Sequence, residues 1–296
     1  MLDSLPAELV LMILRSAAET FVGSHRGTVV SLAQTARFTY AAVKPILYRR
    51  LVVTYCNKHT IKAFMNNTTL AVHVRELLIN RFDWTPSAAV LANFRNLRSL
   101  SGIHSRVQHV LDRLAPDARP SLQRVHIWNT TLLHNLPASV THVCLYLQHF
   151  NDRPPLRSLV DWLATTSSVT HIGLEVVPHS EHPLAVTDAS PERDGPRATF
   201  ARRLARELCA VLDVAGPRLL QLNVRMGGWM ATDEGWVPAV RVLRRAAASD
   251  NSINQKLHLW RDRRHINNLN QDANASVNDA FAGVTVWDQG RTLLEC

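Results

Sequence analysis

Hydrophobic residues follow two regimes along this chain. In the first fifty residues they recur at helical spacing: Leu9, Met12, Ile13 and Leu14 form an apolar stripe behind Leu5-Pro6-Ala7-Glu8. Ser4 is the expected N-cap, Pro6 fits the first turn, and Glu8 sits where a carboxylate favours the helix dipole. Gly23 and Gly27 break the run. A second helix is predicted over 29–42, with Leu32, Ala36 and Tyr40 on one face, until Pro45 interrupts it. Leu51-Val52-Val53-Thr54-Tyr55 then reads as a strand.

Beyond that point one short phrase, apolar-x-x-apolar-x-apolar, keeps returning. It begins at Val74, Leu122, Val140, Val169 and Leu219, and in reduced form at Leu97 and Asn254. At Leu97 a glycine, Gly102, fills the last apolar slot, and at 254 the first apolar residue is lost. Val-Thr-His-x-x-Leu occurs twice intact, at 140 and 169. Successive starts lie 23, 25, 18, 29, 50 and 35 residues apart, mostly near the 20–29 residue period of leucine-rich repeats. Helical patterns fill the gaps at 105–114, 156–165, 200–214 and 237–248. Alternating strand and helix at this period predicts a curved, mostly parallel stack in which each unit buries its apolar face on the next. An ordinary α/β domain with unequal units is the alternative. Residues 178–198 are poor in apolar side chains and read as a flexible surface insertion; 266–279 are also polar and read as irregular.

Composition narrows the classes. Hydrophobic residues at 46% and charged residues at 19% exclude wholesale disorder. No run of 18 uncharged apolar residues occurs, so no membrane span is expected. The N-terminus lacks a basic stretch before its apolar run, so no secretory signal is read and the four cysteines are expected to be reduced thiols of an intracellular protein, in cytoplasm or nucleus. The formal charge of +9 comes chiefly from arginine, since only Lys44, Lys58, Lys62 and Lys256 are lysines. Such a charge suggests a polyanion partner. It is spread out, however: the first 72 residues carry +5, 73–177 and 199–296 carry +3 each, and 178–198 carry −2. That distribution fits a solvated surface better than a dedicated nucleic-acid face.

Motifs for chemistry are missing. There is no phosphate-binding loop, dinucleotide fingerprint, nucleophile elbow or H-E-x-x-H. His179 and His182 are spaced i, i+3 but lie in the polar insertion. No catalytic, cofactor-binding or metal-ligating residue is assigned. One surface does gather recognition side chains. If the phrases are strands, alternate positions share the face opposite the apolar one. That face holds Arg124, His126, Trp128, His142, Tyr146, His171, Glu175, Arg225 and Trp260, with Glu76, Ser99, Cys144, Gln221, Asn223, Lys256 and His258 in the same rows. Trp, Tyr and Arg are the residue types that dominate interface energetics, so a protein target is expected there. Trp260-Arg261-Asp262-Arg263-Arg264-His265 is the best nucleic-acid candidate, pairing a stacking ring with guanidinium groups.

The N-terminal segment resembles a known module. Leu5-Pro6-x-Glu8-Leu9-x3-Ile13 is similar to the opening of an F-box, L-P-x-E-L-x-x-x-I. Ser31-Leu32-Ala33, Arg37 and Pro45-Ile46-Leu47-Tyr48-Arg49 resemble the second half of the F-box-like proteins abundant in fungi. The resemblance implies a helical module over 1–54 that docks on a Skp-type adaptor of a cullin ubiquitin ligase through Leu5, Pro6, Leu9, Ile13, Ile46 and Leu47. It further implies a substrate-selecting domain over 55–296. The expected architecture is therefore α/β: a small F-box-like helical module, then an irregular leucine-rich-repeat-like solenoid of short parallel strands and helices. The expected function is non-enzymatic substrate recognition, as a monomer within that ligase complex, without cofactor or membrane. The alternatives are an arginine-rich nucleic-acid-binding protein, a repeat scaffold whose F-box no longer binds an adaptor, and, last, an unrecognised hydrolase.

Overall fold

The structure, a computed structural model, describes residues 6–22, 25–54, 57, 61, 64, 66–80, 86–114, 121–128, 132–147, 156–177, 195–262, 287 and 291–292. Ser4, Leu5, His179, His182, the bulk of the 178–198 insertion, Arg263–His265 and the 266–279 segment lie outside them. The chain forms two compact units, Met1–Leu122 and Gln123–Cys296. The helical module therefore shares its unit with the first strands, where the sequence reading drew a boundary at 54.

Three helices open the first unit: α1 (Ala7–Phe21), α2 (Arg26–Gln34) and α3 (Arg37–Leu47). The first begins at Ala7, so Pro6 occupies the capping position and makes no side-chain cap bond. A single helix over 29–42 is not formed. The Thr35 hydroxyl donates to the Leu32 carbonyl at 2.8 Å, and Ala36 is extended (φ −159°, ψ 157°), so the chain ends α2 and starts α3 afresh. Pro45 does not stop α3, which runs to Leu47; proline in a last turn forfeits only one terminal bond. Ala18, Val29, Ala33, Ala42, Val43 and Leu47 form the core of this bundle, with Leu11, Val22, Leu32, Ile46 and Tyr48 packed against it.

Three parallel strands follow in sequence order, β1 (Arg50–Val53), β2 (Glu76–Ile79) and β3 (Ser99–Gly102), with short helices α4 (Thr68–Ala71) and α5 (Ala88–Leu91) between them and α6 (His104–Arg113) after them. Asn67 and Ser87 cap α4 and α5 with their side chains. Gly102, which broke the repeating phrase, is needed where it stands: a Cβ there would lie 2.8 Å from the Ile79 carbonyl oxygen.

In the second unit β4 (Arg124–Ile127), β5 (His142–Leu147), β6 (His171–Val176), β7 (Gln221–Met226) and β8 (Leu257–Arg261) are parallel and again ordered as in sequence. The two-residue β9 (Arg291–Thr292) pairs antiparallel with β8. Helices α7 (Leu156–Thr165), α8 (Pro196–Ala215), α9 (Asp233–Ser249) and α10 (Asn251–Lys256) connect them. Because β6 pairs directly with β7, the 50-residue step between phrases contributes α8 and no further strand to the ladder among the described residues.

Every repeated phrase contributes a strand, and β2, β3, β5, β6 and β7 are entered the same way. The carbonyl one residue before a strand accepts two successive N–H groups of the next: Arg49 from Arg75 and Glu76, Arg75 from Arg98 and Ser99, Gln123 from Thr141 and His142, Thr141 from Thr170 and His171. The apolar positions form a closed face. Val74, Leu97, Leu122, Val140, Val169 and Leu219, the first residue of each phrase, are all fully buried. At about 25 cal/mol per Å² this aliphatic face is the principal drive for stacking one strand on the next.

Candidate functional site

Two surfaces answer to the sequence expectations, one in each unit. On α1, Leu9 is 45% exposed, Met12 65% and Ile13 54%. Spaced i, i+3 and i+4, they occupy one helix face. Pro6 is exposed at its start, and Phe21, Val30, Phe38 and Tyr40 are further exposed apolar side chains of the bundle. Ile46 and Leu47 were expected in the same patch. Instead Leu47 is buried in the bundle core and Ile46 packs against that core, because the helical phase of α3 turns them toward Val43 and Ala42. Leu5 lies outside the described residues.

In the second unit the strand register brings the expected polar face together row by row. Arg124, His142, His171 and Gln221 are aligned at the strand starts; His126, Cys144, Gly173, Asn223 and His258 form the second row. Tyr146, Glu175, Arg225 and Trp260 form the third. Trp128 follows β4 and packs edge-on to His126.

The first row carries the consequence of the duplicated Val-Thr-His phrase. His142 and His171 stack with centroids 4.1 Å apart and planes 6° from parallel. Each Nδ1 lies 2.8 Å from the hydroxyl of its own preceding threonine, Thr141 or Thr170. Burial, the neighbouring His171 and the Arg124 guanidinium push His142 down to about 4; burial and Arg124 lower His171 as well. Both rings are thus neutral near pH 7, as a stacked pair requires. Trp287 stands edge-on to both, 5.3 Å from His142 and 6.2 Å from His171.

The second and third rows hold a buried polar network. Arg225 gives Nη1 to Glu175 Oε2 at 3.1 Å and both Nε and Nη2 to Asp262 Oδ2, at 2.9 and 2.5 Å. Its guanidinium also lies over the Trp260 ring at 4.5 Å. Glu175 Oε1 faces His126 Nε2 at 3.5 Å and Cys144 Sγ at 3.8 Å. Burial holds His126 below the ordinary imidazole value, helped by Arg225 and opposed by Glu175. Burial, with Glu175 adding to it, raises the Cys144 thiol well above its usual range. A buried thiol held in its protonated form is a weaker nucleophile than a thiolate.

Four of the nine residues expected to contact a target therefore present no open surface: Trp128, Tyr146, Glu175 and Arg225 are buried. Sequence alternation places them on the right face but says nothing of what lies over it. Arg124 is exposed, and His126, His142, His171 and Trp260 are half-buried. The nucleic-acid candidate is also engaged internally. Trp260 is covered by Arg225, Asp262 pairs with Arg225, and Arg261 pairs with Asp233 and lies 5.5 Å from the Trp236 ring centroid. The sequence reading missed Trp287, and it named Asp262 only within the nucleic-acid candidate and not as the partner of Arg225. For Asp262 a signal existed, an acid following the strand that neighbours Arg225; for Trp287 there was none. A separate groove of about 530 Å³ runs along α9, lined by Trp236, Val237, Val240, Arg241, Arg244 and Arg245.

No helix among the described residues is long and apolar enough to cross a membrane. Comparison of the chain with protein-family models, curated proteins and solved structures finds no match.

Proposed function

We propose that the chain is a non-enzymatic substrate receptor of a Skp–cullin–F-box type ubiquitin ligase. The carrying observation is the exposed stripe Leu9, Met12 and Ile13 on the first helix of an N-terminal bundle. The bundle has a full apolar core without these side chains, so they are free for a partner, and exposed aliphatic clusters of this kind mark docking sites. Ile46 contributes its uncovered edge, while Leu47 acts from within by holding α3 in place. The leucine-rich-repeat reading of the remainder is supported by the sequential parallel strand order in each unit and by the double hydrogen bond that recurs at the starts of β2, β3, β5, β6 and β7.

Receptor work is proximity: one face holds the ligase, another holds the target, and the target's effective concentration at the ligase rises. Burial of the third row moves the proposed target surface. Arg124 and the half-buried His142, His171 and Trp260 remain for contact, and His126 is turned inward toward Glu175. The α9 groove adds an apolar floor flanked by Arg241, Arg244 and Arg245, a surface complementary to an acidic segment of a protein target. The test is titration of the full chain with a purified Skp-type adaptor. Saturable one-to-one binding supports the reading, and absence of binding at high micromolar concentration overturns it. The nucleic-acid alternative predicts instead an affinity for DNA or RNA that falls steeply with salt.

A further inference from the structure

Three polar side chains of different chemistry converge where the second and third rows meet, and hydrogen bonding leaves one of them, His126, unpaired at Nε2. His126 Nε2, Cys144 Sγ and a carboxylate oxygen of Glu175 all lie within 4.8 Å of one another. The His126–Glu175 separation is 3.5 Å and the Cys144–Glu175 separation is 3.8 Å. His126 Nε2 is shut off from solvent and makes no hydrogen bond, whereas buried polar atoms are ordinarily paired. Asn223, fully buried in the same row, also leaves its Nδ2 unpaired. Between Cys144 and Asn223 that row contains Gly173, which adds no side chain.

These separations suit a shared ion better than a shared proton. Around a tetrahedral ion with bonds of about 2.0–2.3 Å, ligand atoms sit roughly 3.3–3.8 Å apart, the range seen for the two short pairs. The two oxygens of Glu175 are already differentiated: Oε2 is taken by Arg225, leaving Oε1 turned toward His126 and Cys144. A carboxylate fixed through its far oxygen is the usual support for a ligating one. Charge agrees. With Cys144 and His126 neutral, Glu175, Asp262 and Arg225 sum to one negative charge; a divalent ion that displaces the thiol proton brings the group to neutrality.

We propose that His126, Cys144 and Glu175 form a structural site for a divalent ion of the zinc class, tying together β4, β5 and β6. The mixed nitrogen, sulfur and oxygen donors suit zinc or cobalt and not magnesium or calcium. On binding, the Cys144 S–H bond breaks, its proton goes to solvent, and the thiolate electron pair forms the metal bond. Three protein donors leave the fourth position of a tetrahedral ion to water, and burial of the group sets it apart from bulk solvent, so the ion's role is to add rigidity.

The experiment is titration of the metal-free full chain with cobalt(II), followed by absorbance. One equivalent should produce a thiolate-to-cobalt charge-transfer band that zinc then displaces. The chain with Cys56, Cys209 and Cys296 all changed to Ser should keep the band, and Cys144→Ser should lose it. Glu175→Gln and His126→Asn should each weaken cobalt binding at least about tenfold, with circular dichroism confirming the fold of each variant. Absence of the band in both the wild-type chain and the chain with Cys144 as its sole cysteine overturns the proposal, as does a band that survives Cys144→Ser unchanged.

Discussion

Replacing Leu9 and Ile13 together by Asp separates docking from folding more sharply than any other change. Fully burying a leucine or isoleucine side chain gains about 1.5–3 kcal/mol. Leu9 and Ile13 are 45% and 54% exposed, so roughly half of that gain is still available to a partner, about 1.5–3 kcal/mol for the pair. Its loss alone weakens binding roughly 10- to 150-fold, and two carboxylates carried into an apolar interface weaken it further. Stability should fall modestly. The half of each side chain already buried in the fold is worth at most about 1.5–3 kcal/mol for the pair, and an acid at position 9, in the first turn of α1, is favoured by the helix dipole and offsets part of it. The assay pairs calorimetric titration against a purified Skp-type adaptor with a thermal melt of the free chain. The expected result is binding lost from a chain that still melts cooperatively, with its melting temperature lowered by less than about 10 °C. Adaptor affinity within threefold of wild type refutes the interface. A melting temperature that collapses along with binding refutes the claim that this stripe is free.

Four further outcomes follow from the packing. Leu47→Ala, in the bundle core, should cost about 2–4 kcal/mol in urea denaturation, where Leu9→Ala costs little. Gly102→Ala forces a Cβ to 2.8 Å from the Ile79 carbonyl oxygen and should destabilise the first unit by about 1–3 kcal/mol. Arg225→Met strands Glu175 and Asp262 as buried carboxylates and should cost about 3–5 kcal/mol, much of it recovered in the triple variant with Glu175→Gln and Asp262→Asn. Stability should also fall with acid. His142 is held near 4 by burial, His171 and Arg124, so below about pH 6.5 the unfolded chain takes up a proton that the folded chain refuses. The melting temperature should therefore drop between pH 6.5 and 4, and His142→Gln should flatten that slope.

What the sequence revealed, and what it hid, divides along a physical line. The strands were readable because every phrase but the one at 254 buries its first, fourth and sixth residues, a local pattern that needs no knowledge of neighbours. The stacked histidines follow from the same fact: Val-Thr-His appears twice, and equal register places the rings in line. The division of the second helix at Thr35 and Ala36 was hidden by apolar periodicity that continues across it. Leu47 was misplaced because the resemblance gives a motif position and not a helical phase. The burial of Tyr146, Glu175 and Arg225 was invisible for another reason. It depends on distant partners such as Asp262, and strand alternation assigns a face without saying whether that face is open. Opposite charges at matched positions of β6 and β7, Glu175 against Arg225, and the acid that follows β8 were the available hints of an internal network.

The central claim, that α1 is the docking helix, is tested most directly by hydrogen–deuterium exchange of the full chain with and without a purified Skp-type adaptor. The account predicts that added adaptor slows exchange across 7–21 and the end of α3 near Ile46, leaving β4 to β8 unchanged. Protection confined to the strands of the second unit, or none at saturating adaptor, would contradict it.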